Sequence, residues 1–177
     1  MARGANLPRL RCVQALRGWG GARRLPGGPV TPQLLEEEYT MSEQTKAEAE
    51  VRQAFLAMMK AWNAHDVDTF VAHWHPEVAG FQWHGGVLDE DITKAGMTSY
   101  YDAGNKPALT VRQLSVSVYG NAALVTCYLQ GRLTYPSDAV ERGTWRFSEM
   151  MVRQNGEWKG LHYHWSLLTA EHSITKP

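Results

Sequence analysis

Two turn dipeptides constrain this chain more than any other feature. Gly120-Asn121 and Asn155-Gly156 each separate two long runs in which apolar and polar residues alternate, and such a dipeptide between alternating runs is a strong short-range signal for a β-hairpin. Residues 122–135 alternate Ala123, Val125, Cys127 and Leu129 against Leu124, Thr126, Tyr128 and Gln130, and stop at Pro136-Ser137-Asp138. Residues 140–154 and 157–168 are two further strands. Before Gly120, Leu109 and Val111 have one phase and Leu114, Val116 and Val118 the other, which predicts a bulge near Gln113 in a long bent strand.

Helical periods lie upstream. Thr45 with Glu48 makes a capping-box pattern, and Val51, Phe55, Met58 and Trp62 then recur on one face, predicting a helix of about 18 residues. Asp66 can cap a second helix, with Val67, Phe70, Val71 and Trp74 on one side and Pro76 as its stop. Residues 78–84 read as a short strand, with Phe81 and Trp83 on one face and Gln82 and His84 on the other. Asp91 can cap a third helix through Tyr101. Helices segregated before a run of antiparallel strands indicate an α+β fold, with the sheet curled around the helices.

Charge divides the chain unevenly. Lys+Arg and Asp+Glu number 18 each, yet Arg3, Arg9, Arg11, Arg17, Arg23 and Arg24 precede every acidic residue. Residues 1–40 are expected to form a disordered, targeting or non-native segment, and residues 41–177 the folded domain. The location follows: cytoplasmic, or organellar if residues 1–40 are a genuine transit peptide. Cys12 and Cys127 are too few for a disulfide framework or a four-thiolate zinc site. No run approaches the length of a membrane helix, and the strand-rich domain carries no nucleic-acid recognition signature.

The segment 146–166, with Asn155, Gly156, Trp158 and then His162, His164 and Ser166, resembles the end of nuclear transport factor 2-like domains. It is similar to the SnoaL-like group and to the association domain of calcium/calmodulin-dependent protein kinase II. Residues 62–70, 75–77 and 120–125 extend the resemblance, which covers residues 47–170. It implies a cone in which a strongly bent antiparallel sheet wraps three N-terminal helices around an open-ended pocket. The group includes isomerases, cyclases, dehydratases and hydrolases as well as non-catalytic association domains, so function rests on the site residues. The association domain's pocket arginines have no evident counterpart here, where Leu129 and Glu149 stand at the matching positions.

Strict alternation places Trp158, Gly160, His162, His164 and Ser166 on one face of the last long strand and Leu161, Tyr163, Trp165 and Leu167 on the other. Pairing across Asn155-Gly156 brings Glu149 beside His162, which makes Glu149, His162 and His164 a candidate acid–base set; a buried pair that merely fastens two strands has the same signature. Trp62, Trp83, His84, Tyr101, Trp145 and Phe147 are the expected ligand-binding residues, Phe81 and Tyr100 further wall candidates, and Arg132 and Arg146 candidates to neutralise a carboxylate. A zinc site from His84, His162 and His164 has the right donors, but the resemblance argues against it, and neither metal nor cofactor is expected. His73 reads as a surface residue or a helix-dipole partner.

Two functions remain open. One is a small-molecule-binding SnoaL-like protein for a hydrophobic or carboxylate-bearing ligand, with cofactor-independent isomerase, dehydratase, cyclase or hydrolase activity. The other is an association module that forms a homodimer through the outer sheet face, or a larger ring, using the apolar side of the last strand.

Overall fold

The computed structural model describes the backbone of residues 32–82, 88–89, 92–168 and 173–175, and the side chains of 43–82 and 92–168. Helix α1 (Pro32–Ala64) is followed by α2 (Val67–His73), β1 (Trp74–Phe81), β2 (Leu88–Asp89) and α3 (Lys94–Asp102). The strands β3 (Lys106–Tyr119), β4 (Ala122–Thr134), β5 (Val140–Gln154) and β6 (Glu157–Leu167) then form the meander, and β7 (Ser173–Thr175) pairs with β5. The sheet order is β2-β1-β6-β5-β4-β3. This is the expected α+β cone, with one addition: β1 joins β6 in parallel, because α2 carries the chain back to that edge.

Three local expectations hold at the level of single residues. Gln113 sits at φ +50° where the β3–β4 register slips, so the bulge lies where the hydrophobic phase changes. Tyr119 pairs with Ala122 and Gln154 with Glu157, which makes both hairpin turns two residues long. Asn155 and Gly156 take φ values of +53° and +86°, the left-handed pair that a type I′ turn requires. Asp66 caps α2 by accepting from the Thr69 amide at 3.1 Å.

Helix boundaries differ more. Helix α1 runs through Thr45 without a break, so the capping-box pattern there does not start a helix. The cap of α3 is Thr93, whose hydroxyl accepts from the Gly96 amide at 3.0 Å; Asp91 lies outside the described residues. Helix α2 ends at His73 and β1 begins at Trp74 rather than at residue 78.

Val51, Phe55, Met58, Met59 and Trp62 of α1 pack onto the inner sheet face, against residues that include Val125, Leu129, Trp145, Phe147 and Trp165. The helix is also tied to the sheet edge. Asn63 gives its side-chain amide to the Leu109 carbonyl at 2.8 Å and accepts from the Leu109 amide at 2.9 Å, so one side chain does the work of a neighbouring strand.

Candidate functional site

A cavity of about 320 Å³ opens between the helices and the inner sheet face, at the lower end of the range for small-molecule sites. Met58, Met59 and Trp62 of α1 form one side, Tyr100 and Met97 of α3 another, and Phe147, Tyr163 and Trp165 of the sheet its floor. Trp74 and Gln82 close it from β1 and the residue that follows. Among the described residues its lining contains no Asp, Glu, His, Lys or Arg.

The polar groups on the wall are differently committed. The Tyr135 hydroxyl donates to Glu141 Oε2. The Tyr100 hydroxyl has no hydrogen-bond partner among the described residues. Burial pushes its pKa up to about 12, because removing water penalises the phenolate. At neutral pH it is therefore an O–H donor on a residue that lines the chamber.

Glu149 is buried, at 1% exposure, but its partner is not the expected one. His73 Nε2, at the end of α2, lies 2.6 Å from Glu149 Oε1. The second oxygen, Oε2, is buried without a partner among the described residues. The pair is flanked by Trp74, whose ring meets His73 edge-on at 5.0 Å, and by Tyr163, which faces Glu149 across the β5–β6 ladder. Trp74 and Tyr163 line the cavity; His73 and Glu149 do not.

His162 and His164 are corrected to the opposite side of the sheet. Met151 pairs with Gly160 but Met150 pairs with His162, so Leu161 is an extra residue in β6. Because strand faces alternate with period two, one inserted residue exchanges every later side chain between faces. Trp158 and Gly160 point inward, then Tyr163 and Trp165 do, while His162 and His164 lie outside around Phe81, with ring centroids 5.9 and 6.1 Å from it. The apolar strip expected to face outward is thus split, with its two aromatics in the core.

The ligand-binding expectations divide. Trp62 and Phe147 are on the cavity wall, as is Tyr100. Tyr101 is not: its hydroxyl donates to the Trp62 carbonyl at 2.9 Å and its ring stacks on His65, fastening α3 to α1. Trp145 is fully buried in the core beneath, and Phe81 is on the outer face, 40% exposed. Arg132 and Arg146 are exposed, away from the cavity. Trp83 and His84 lie outside the described residues. No three His, Cys, Asp or Glu side chains among the described residues cluster in a way that could hold a metal ion.

His73 is the residue that sequence reasoning misplaced most. A signal was present: His73 follows Phe70 by three positions, and these two are the buried residues of α2, so the imidazole shares the inward face.

A model of the SnoaL-like domain matches residues 51–170. The chain belongs to the SnoaL-like family. Solved structures agree on the fold of this SnoaL-like chain. A nuclear transport factor 2-like protein of unknown function from Pseudomonas putida is 24% identical, with a TM-score of 0.58 over 75% of this chain and 98% of that one. A ketosteroid isomerase-like protein from Erwinia carotovora atroseptica is 16% identical, with a TM-score of 0.56 over 68% and 95%. The association domain of the Caenorhabditis elegans kinase (C. elegans CaMKII) is 18% identical, with a TM-score of 0.58 over 70% and 98%. Comparison with curated proteins found no match. Among the described residues, no helix of this SnoaL-like domain is long and apolar enough to cross a membrane.

Proposed function

We propose that this SnoaL-like domain binds a small, neutral, predominantly apolar molecule carrying one hydrogen-bond acceptor, such as a ketone or ether. The observation that carries the reading is the Tyr100 hydroxyl, a protonated donor in a chamber otherwise walled largely by aromatic and methionine side chains. A carboxylate-bearing ligand is disfavoured: no cationic side chain lines the chamber among the described residues, and an unpaired buried carboxylate is costly. The ketosteroid isomerase-like neighbour is in keeping with a carbonyl ligand but shares only the fold.

In this reading Glu149 and His73 hold α2 and β1 against the sheet and so shape the chamber, instead of transferring protons. Acid–base turnover needs a base within hydrogen-bond reach of the reacting atom, and the pair stands behind Trp74 and Tyr163. Tryptophan fluorescence titration tests the reading, since Trp62, Trp74 and Trp165 would report occupancy directly.

A second reading, homodimer formation, is supported by the outer face. Leu124 and Met150 are direct cross-strand partners exposed at 44% and 40%, and Phe81 is exposed on the same face. The similarity to an association domain fits this reading. Such a dimer leaves the chamber on the inner face free, so the two readings are compatible.

A further inference from the structure

The outer face of the sheet carries a second concavity, independent of the apolar chamber. It has a volume of about 290 Å³ and is lined by Gln113, Thr126, Tyr128, Arg146, Ser148 and His164, with Ser166 at its end. The ladder explains this set. Thr126 pairs with Ser148 and Ser148 with His164, forming one cross-strand row; Arg112, Tyr128, Arg146 and Ser166 form the next. Gln113 reaches the concavity because the β3 bulge leaves it out of the ladder, the re-aiming for which bulges are suited.

The electrostatics of this face are one-sided. Arg112, Arg132, Arg142 and Arg146 are all exposed, and none is in an ion pair with a carboxylate among the described residues. The carboxylates of the four long strands are elsewhere: Glu141 and Glu149 are buried, and Glu157 at the hairpin tip is held by Lys159 at 2.8 Å. Arg132 and Arg142 even stand directly opposite each other. Like charges in that position destabilise a sheet, and among the described residues the face supplies no counter-charge of its own.

We infer that this concavity is a binding site for a tetrahedral oxyanion, either free phosphate or the phosphate group of a small ester. Arg146 supplies a fork of donors matched to such oxygens. Thr126 and Tyr128 add hydroxyl donors from β4, and His164 adds a ring N–H. The Ser148 hydroxyl rests on the His164 carbonyl at 3.5 Å, and among the described residues no acid lines the concavity. Arg112, across Tyr128 from Arg146, contributes a second positive charge. The Arg146 guanidinium already donates to the Leu167 carbonyl at 2.8 Å, which holds it over the groove while leaving other N–H groups for a ligand.

The test uses the full chain and nuclear magnetic resonance titration with inorganic phosphate, with phenyl phosphate and, at matched ionic strength, with sodium chloride. Saturable shifts confined to the stretches of β3–β6 around the concavity with either phosphate, absent with chloride, are expected. Arg146→Gln should weaken binding at least fivefold, and Arg112→Gln or His164→Gln should weaken it two- to fivefold; these last two keep the test open if Arg146→Gln does not fold. Tyr100→Phe should leave it unchanged. Preference for inorganic phosphate identifies a free anion, and preference for phenyl phosphate an ester. Equal shifts with chloride, or wild-type affinity in both Arg112→Gln and His164→Gln, would overturn the assignment.

Discussion

His73 Nε2 lies 2.6 Å from Glu149 Oε1, and both side chains are sealed from solvent by the Trp74 ring and the inner sheet face. This contact joins the end of α2 to the centre of β5, residues 76 positions apart. Removing one partner of a buried pair strands the other without compensation, at a cost of roughly 3–5 kcal/mol. His73→Ala is therefore expected to lower the unfolding free energy in urea by about that amount. Glu149→Gln, which can still hydrogen-bond His73, should lose distinctly less. Equal, small losses in both would show that the contact contributes little.

Gly160 supplies the room for that contact. A Cβ at this position would stand 2.5 Å from Glu149 Oε1 and 2.6 Å from the Trp74 ring. Gly160→Ala should cost about 1–3 kcal/mol, the usual range for overpacking a core. Denaturant midpoints compared with an exposed control, Lys60→Ala, would measure it.

The cap of α3 bears on the chamber, since Gly96, Met97 and Tyr100 of that helix line it. Thr93→Ala removes the hydroxyl that accepts from the Gly96 amide, a loss of about 1 kcal/mol for such caps. Faster amide exchange across residues 94–102 is expected, together with weaker ligand binding. Unchanged exchange would mean that packing alone holds the helix.

Cys127 is buried, and burial pushes its thiol pKa up to about 12, with the Glu149 charge adding to the shift. Burial acts on Tyr100 in the same direction. Both groups are raised above their unfolded values, so their contribution to stability is complete below about pH 9 and is lost as pH rises toward 12. The native thiol should resist alkylation at pH 8, reacting only as fast as the chain opens. A Cys12→Ser background isolates the measurement; rapid modification of the folded protein would contradict the burial.

Dimer formation through the outer face predicts that Leu124→Glu with Met150→Glu shifts the sedimentation coefficient to that of a monomer while far-ultraviolet circular dichroism stays unchanged. A wild-type chain already monomeric at micromolar concentration would remove this reading.

What was legible in the sequence follows from how locally each feature is determined. The two-residue turns, the bulge at Gln113 and the Asp66 cap depend on a few adjacent residues, and the pattern around each carried them. Glu149 was legible as a buried carboxylate because β5 keeps a single phase from Trp145 to Met151. The β6 bulge was not: Leu161 lies between Gly160 and His162 with no break in apolar pattern, and either phase of Leu161, Tyr163 and Trp165 against His162 and His164 reads as a strand. The face was decided by tertiary packing, where Gly160 leaves space for Glu149 and Trp74, and Tyr163 fills the space over Gly80. His73 had the three-residue spacing from Phe70 that marks the buried side, but a seven-residue helix repeats that spacing too few times for it to outweigh a surface reading.

On the proposed function, the inner chamber takes a neutral acceptor through Tyr100, with Glu149 as a structural support. Tryptophan fluorescence titration with a set of alicyclic and steroid ketones and their matched carboxylates, on wild type, Tyr100→Phe and Glu149→Gln, tests it most directly. The predicted result is saturable quenching by ketones in preference to carboxylates, weakened about 3- to 10-fold by Tyr100→Phe, the equivalent of one hydrogen bond of about 0.5–1.5 kcal/mol, and nearly unchanged in Glu149→Gln. Preference for carboxylates, or binding that survives Tyr100→Phe and is lost in Glu149→Gln, would contradict it.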